Sequence, residues 1–131
     1  MNKIPKFVYW LPTLLWLTII FTFSAQPAIQ TSAVDWQDFF VKKTAHFVEY
    51  AILTGLLIFS LHRTTRLSWI RIIYLSILIS ITYAISDEFH QSFVPGREAR
   101  FRDVLIDSSG SLSVGLLSLK KQWLDNTNYR V

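Results

Sequence analysis

The stretch VYWLPTLLWLTIIFTFS, residues 8–24, decides the fold class of this chain. It carries no charge, and a helix needs about 20 mostly apolar residues to cross the hydrocarbon core of a membrane. Pro12 fits in the first turn, where the helix has no partner for an N–H group anyway. Bulky Trp10, Trp16 and Phe23 are spread along the segment, so we expect a retained transmembrane helix rather than a cleaved secretory signal.

The composition of the whole chain also favours a membrane protein. Of its 131 residues, 51% are hydrophobic and 17% are charged, whereas soluble domains have roughly 25% charged residues. A soluble chain of this size has too little interior to bury so much apolar surface. The net charge is +4, but the basic residues flank apolar runs, which favours an anionic membrane surface over nucleic acid. The chain has no cysteine, which excludes disulfides and thiolate metal sites.

Three further apolar segments complete an expected all-α bundle. We predict helices over residues 43–61, 68–90 and 103–119, which together with residues 8–24 give about four transmembrane helices. A polar loop, with or without a short interfacial helix, is predicted over residues 25–40. The length of 131 residues predicts a single domain covering the whole chain.

The basic residues near the helix ends predict the orientation. Eight of the 13 Lys and Arg residues would lie on the side of the two termini, and five on the opposite side. Basic residues accumulate on the cytoplasmic side of membrane proteins. We therefore expect both termini in the cytoplasm and the loop between the third and fourth helices on the extracytoplasmic side.

Polar side chains interrupt the predicted helices at that extracytoplasmic end. At 3.6 residues per turn, the polar side chains of each helix lie on one side of that helix. Glu88 is the exception, because it points about 100° away from the other polar side chains of the third helix. Lipid cannot satisfy such groups, so we expect them to turn inward and form a polar pocket. The candidate ligand-binding residues are Lys43, Glu88, Gln91, Arg97, Asp103 and Asp107. The candidate catalytic residues are His46, Glu49, Asp87 and His90.

Several chemistries are compatible with these residues, and the sequence alone leaves them open. His46 with Glu49, and Asp87 with His90, have a spacing and composition that suit zinc or manganese, but the spacing is weak evidence and we assign no metal site and no cofactor. A histidine beside a carboxylate can act as a general acid–base pair. Arginines such as Arg97 can clamp an anionic head group. The same charges can also form a structural salt-bridge lock.

Two stretches resemble the VanZ-like family of small bacterial membrane proteins: KKTAHFVEYAILTGLL (residues 42–57) and SDEFHQSFVPGREARFRDVLIDSSGSLSVG (residues 86–115). The resemblance extends from Ser24 to Gly115. The family often has Asn at the position of Asp107, so the resemblance does not carry over a charge there. Four motifs carry it, namely Lys43-x-x-His46-Phe-x-Glu49-Tyr50, Asp87-Glu88-x-His90-Gln91, Pro95-Gly96-Arg97 and Asp103-x-x-x-Asp107-x-x-Gly110.

The resemblance implies a role in tolerance to glycopeptide or lipoglycopeptide antibiotics such as teicoplanin. Our first hypothesis is that the polar pocket binds an anionic envelope ligand, either the glycopeptide or a lipid-linked cell-wall precursor, with Lys43 and Arg97 holding the charge. The chain is alternatively a hydrolase or transferase on a lipid-linked substrate, with His46 or His90 as the base, or a structural membrane subunit. In each case we expect a multi-pass protein of a bacterial cell membrane, in contact with the lipid bilayer and not with nucleic acid.

Overall fold

Four α-helices and one 3-10 turn make up the part of the chain that the computed structural model describes, residues 4–27, 35–97 and 99–128. In order they are the 3-10 turn Lys6–Trp10, α1 (Leu11–Ser24), α2 (Asp35–Thr64), α3 (Trp69–Gln91) and α4 (Phe101–Asn128). No strand occurs within these ranges, and the prediction of an all-α fold is confirmed.

Two helices are longer than predicted. α2 begins at Asp35, so the helix that the prediction left open within the polar loop over residues 25–40 is not a separate interfacial helix but the first part of α2. Residues 28–34 lie outside the described residues. α4 continues to Asn128, well beyond the predicted end at residue 119. Apolar runs mark the part of a helix that lies in lipid, whereas polar residues can prolong the same helix into water. The predicted boundaries of α2 and α4 therefore correspond to the apolar parts of these helices and not to their ends.

Within the described ranges, three helical segments are long and apolar enough to cross a membrane: Lys6–Ser24, Phe39–Thr64 and Trp69–Gln91. α4 is not among them; it contains Asp103 and Asp107 together with several serines. A membrane crossing by α4 and the cytoplasmic location of both termini therefore stay predictions.

The helices alternate in direction along the chain. His46 near the start of α2 contacts Asp107 near the start of α4, so these two helices begin at the same end of the bundle. Trp69 at the start of α3 donates a hydrogen bond to the carbonyl group of Ser118 on α4 (3.4 Å), so α3 runs in the opposite direction. The polar end of the bundle thus combines the starts of α2 and α4 with the end of α3 and the loop that follows it.

α2 and α4 approach most closely at Gly110. A β-carbon at this position would fall on the carbonyl oxygen of Phe47 and would lie 3.3 Å from the amide nitrogen of Ala51. Small residues allow helix backbones to come together in membranes. Gly110 therefore sets the distance at which the charged side chains of the preceding turns of α4 meet α2.

Hydrogen bonds attach α1 to the rest of the bundle, against which it packs less extensively than α2, α3 and α4 pack against one another. Side chains donate to main-chain carbonyl groups across its interfaces, among them Thr13 to Leu56 (3.2 Å), Trp16 to Glu49 (2.9 Å) and Tyr83 to Leu17 (2.9 Å). The Thr13 hydroxyl also pairs with the Ser60 hydroxyl at 2.8 Å. These bonds satisfy polar side chains that could find no partner in lipid.

Candidate functional site

The predicted site residues lie at the polar end of the bundle, and their contacts divide them into separate groups. One group joins α2 to α4, a second joins α3 to the end of α1, and a third joins α3 to the loop before α4. His90 faces a groove on the side of the bundle. The contacts therefore distribute the candidates over several interfaces.

The first group is a pair of contacts that we call the charge ladder: Lys43 and His46 on α2 face Asp103 and Asp107 on α4. The Lys43 ammonium lies 2.6 Å from Oδ2 of Asp103, and Nδ1 of His46 lies 3.4 Å from Oδ1 of Asp107. Each helix contributes side chains one turn apart, so both contacts form on the same pair of faces. The side chains of Lys43 and His46 remain 20% and 17% exposed, so a ligand can reach both.

Asp107 is the most deeply buried member of the ladder, with its side chain 1% exposed. Among the described residues, neither of its carboxyl oxygens receives a hydrogen bond of normal geometry, and His46 approaches at ion-pair distance. With Asp107 ionised, Nδ1 of His46 must carry the hydrogen for this contact to be attractive. In the neutral imidazole, Nε2 is then the free base, so the contact selects one tautomer of His46.

The predicted pairs within single helices are not the contacts that the structure has. His46 pairs with Asp107 on a different helix instead of with Glu49, and no contact joins Asp87 to His90 among the described residues. Glu49 still lies within electrostatic range of His46 and Asp107. In the described ranges, no three His, Asp or Glu side chains are close enough together to hold a metal ion.

The second group centres on Asp87, which is 4% exposed. Its Oδ2 accepts hydrogen bonds from the Ser24 hydroxyl at 2.7 Å and from the Gln91 amide at 2.9 Å. These bonds connect α3 to the last residue of α1. The sequence did not identify Ser24 as a candidate site residue. The available signal was its position at the end of the charge-free segment.

Arg97 fastens the end of α1. Its guanidinium donates to the carbonyl groups of Phe23 at 2.8 Å and Gln26 at 2.9 Å, and to the side-chain oxygen of Gln91 at 3.0 Å. The last carbonyl groups of a helix have no partner within the helix and attract basic side chains. The guanidinium is therefore engaged within the protein and is not held open for an anionic ligand.

The third group is the contact of Glu88, which is 6% exposed, with the loop before α4. Its Oε1 accepts a hydrogen bond from the backbone N–H of Arg100 at 2.6 Å. Glu88 and Asp87 thus serve different neighbours, which agrees with the predicted angle between them. Glu88 also lies within electrostatic range of Asp103 and Asp107, so it borders the charge ladder.

The contacts described above lie within a stretch of the chain that matches a known protein family. The chain matches the family model VanZ/LLP1 over residues 7–120. The chain belongs to the VanZ/LLP1 family. Neither a curated protein nor a solved structure matches it. Together with the three apolar helices, the match identifies a membrane protein of the VanZ family.

In this VanZ-family protein, His90 lies apart from the charge ladder. Its ring packs on that of Phe21, with centroids 4.8 Å apart. The two residues line a groove of about 290 Å³ together with Tyr83, Ser86, Asp87, Phe89 and Phe93. His90 is therefore associated with the interface of α1 and α3, and His46 with the interface of α2 and α4.

Replacing Arg97 with alanine is expected to loosen the last turn of α1 in this VanZ-family protein. Three hydrogen bonds are lost, each with a net contribution of about 0.5–1.5 kcal/mol, and two carbonyl groups at the helix end lose their donor. Hydrogen exchange measured by mass spectrometry should show at least tenfold faster exchange in the last turn of α1. Arg102→Ala is the control, because Arg102 is 51% exposed and its approach to Asp103 (3.7 Å) and to the ring of Phe39 (4.7 Å) involves no residue of α1. Equal exchange rates in the two variants would contradict the assignment.

Proposed function

We propose that this VanZ-family protein is a multi-pass protein of a bacterial cell membrane that contributes to glycopeptide tolerance by binding an anionic envelope ligand at the charge ladder. In this proposal α4 also crosses the membrane, and the polar end faces the outside of the cell. The observation that carries the proposal is the pairing of Lys43 and His46 with two acids of α4 inside an otherwise apolar bundle. Ionisable groups in such segments are costly and are usually kept for function.

The arrangement of the ladder indicates how a ligand would bind. Lys43 and His46 form its accessible side, and the more buried Asp103 and Asp107 hold them in place. A phosphate or carboxylate of a lipid-linked wall precursor or of a glycopeptide would accept hydrogen bonds from the Lys43 ammonium and from Nε2 of His46, which carries a hydrogen in addition to Nδ1 when the ring is protonated. Arg97, which was a candidate for this task, supports the end of α1 instead. The ligand charge is therefore assigned to Lys43 and His46.

Expression of the protein in a susceptible bacterium should raise the teicoplanin concentration needed to stop growth. Lys43→Ala and His46→Ala should return that concentration to the value of cells with an empty vector, because each removes a donor to the ligand. Asp107→Asn should retain most of the tolerance, since an amide oxygen can still accept from Nδ1 of His46. Lys120→Ala at the exposed opposite end is the control. No tolerance from the wild type, or full tolerance from Lys43→Ala at equal membrane levels, would overturn the proposal.

One observation favours an enzyme as the second candidate. The buried Asp107 carboxylate beside Nδ1 of His46 leaves Nε2 as the base, which is how a carboxylate orients histidine in acid–base catalysis. Lys43, one turn away, would stabilise negative charge that develops on a phosphoryl group. The reaction would be hydrolysis of, or transfer from, a lipid-linked envelope substrate.

Asp107→Asn separates the two candidates. In a catalytic protein this change should reduce turnover of a labelled polyprenyl phosphate or wall precursor by roughly 100-fold or more, because the carboxylate charge that stabilises the protonated His46 ring during the reaction is lost. In a binding protein the same variant should keep its function. Measurement of labelled products with purified protein in lipid nanodiscs, alongside His46→Ala, decides between them. Absence of product from the wild type across these substrates would rule out the enzyme.

A further inference from the structure

A groove lies on the side of the bundle where α1 and α3 meet, away from the charge ladder. Three phenylalanines form its apolar walls, and they are largely exposed: Phe21 is 50%, Phe89 67% and Phe93 71% exposed. Its volume of about 290 Å³ is near the lower end of the range for ligand pockets, roughly 300–1,000 Å³. In a membrane, this groove opens sideways towards the lipid.

Two of the residues that line the groove also carry a buried polar atom that has no hydrogen-bond partner among the described residues. Oδ1 of Asp87 receives no hydrogen bond from any described residue, although Oδ2 of the same carboxyl group receives two. Nδ1 of His90 is likewise buried and unpaired among the described residues. A buried acceptor without a donor costs about 1–3 kcal/mol, and more when it is charged. Oδ1 of Asp87 can only accept when the carboxyl group is ionised, whereas Nδ1 of His90 accepts or donates depending on the tautomer. The Asp87 carboxylate beside the apolar groove therefore points to a ligand that supplies a hydrogen-bond donor.

We propose that this groove binds a membrane lipid whose head group donates hydrogen bonds and carries no net negative charge. Its hydrocarbon chain would lie against Phe21, Phe89 and Phe93, and a hydroxyl or ammonium of its head group would donate to Oδ1 of Asp87. The charge of the groove decides which class of lipid it can bind, because an acid repels a negatively charged head group. Asp87 is the acid that lines the groove, and the Arg97 guanidinium donates to Gln91 and to carbonyl groups of α1. The site goes beyond the proposed function and does not depend on it.

The test is native mass spectrometry of the full chain in a nonionic detergent. The protein is offered equal amounts of dioctanoylglycerol, dioctanoylphosphatidylethanolamine and dioctanoylphosphatidylglycerol, which carry a hydroxyl, an ammonium and a net negative head group. The variants are Asp87→Asn, which keeps the shape of the side chain, and Phe21→Ala, which opens the apolar wall. Phe101→Ala is the control, because Phe101 is 77% exposed and lies outside the groove.

We expect the wild type to retain one or both of the first two lipids at least tenfold better than the phosphatidylglycerol. The lipid that is retained identifies the head group as hydroxyl or ammonium. Asp87→Asn should reduce this preference about tenfold, and Phe21→Ala should weaken retention of every lipid that binds, while Phe101→Ala changes neither. Preferred retention of phosphatidylglycerol, or equal retention of all three by the wild type, overturns the proposal even if the Asp87 variant does not fold. Tolerance assays do not enter this result, so failure of the lipid site and failure of the proposed function are distinguishable.

Discussion

Gly110→Ala is expected to destabilise the folded bundle by about 1–3 kcal/mol, the range for inserting a methyl group where there is no space. The new β-carbon would fall on the carbonyl oxygen of Phe47. That oxygen belongs to the backbone of α2 and cannot rotate away as a side chain can. α2 and α4 must therefore separate, which also lengthens the contacts of the charge ladder. Thermal unfolding in detergent, followed by helical circular dichroism, measures the loss.

Gly55→Ala is the matched control on α2. A β-carbon at Gly55 meets nothing within 4 Å, so this variant should be as stable as the wild type or slightly more stable, because alanine favours helix over glycine. Gly115→Ala should lie between the two, since its β-carbon meets the side chain of Ile77, which can adopt another rotamer. Similar losses at Gly110 and Gly55 would show that the helix approach at Gly110 is not responsible.

Asp103→Leu is expected to cost roughly 3–5 kcal/mol, because it leaves the partly buried Lys43 ammonium without its partner. Replacing both residues, as Lys43→Met together with Asp103→Leu, should recover most of that stability, since a buried ion pair can be exchanged for apolar side chains of similar size. The single variants, the double variant and the wild type form a cycle whose coupling energy comes from the same unfolding measurement. A double variant as unstable as Asp103→Leu would show that the pair does not act as a unit.

The double variant also separates structure from function. If the protein is a structural subunit whose charges form a lock, restored folding should restore teicoplanin tolerance as well. If Lys43 holds the ligand, the double variant should fold, reach the membrane and give no tolerance. Immunoblots of membrane fractions provide the control for protein level.

The fold was predictable where segments lie in lipid, because lipid requires the backbone groups to be hydrogen-bonded within the protein. The charge-free segment that ends at Ser24 and the apolar run from Trp69 had to be helices that hide their backbone groups from lipid. The start of α2 at Asp35 was not predictable in this way. Its first turn, residues 35–38, is mostly polar, and outside lipid such a sequence suits a loop as well as a helix.

The contacts among the candidate site residues were not predictable from the sequence. Helical spacing placed His46 and Glu49 on one side of α2, which favoured pairing within the helix. The partner of His46 is instead Asp107, because the close approach at Gly110 brings α4 to that side. Such pairing depends on the relative rotation and height of two helices, which spacing within one helix does not contain. The contacts of Arg97 were not predictable for a related reason: two of its three acceptors are backbone carbonyl groups, which every residue type provides.

The bonds that attach α1 have a consequence for how sequences can change. In the Trp16–Glu49, Tyr83–Leu17 and Arg97–Phe23 contacts, a specific side chain donates to a main-chain carbonyl group. The donor cannot be replaced without loss, while the acceptor is indifferent to the residue that carries it. Homologous sequences should therefore show invariant donors opposite freely varying acceptors. Pairwise covariation would then give little signal for the packing of α1, even where that packing is retained.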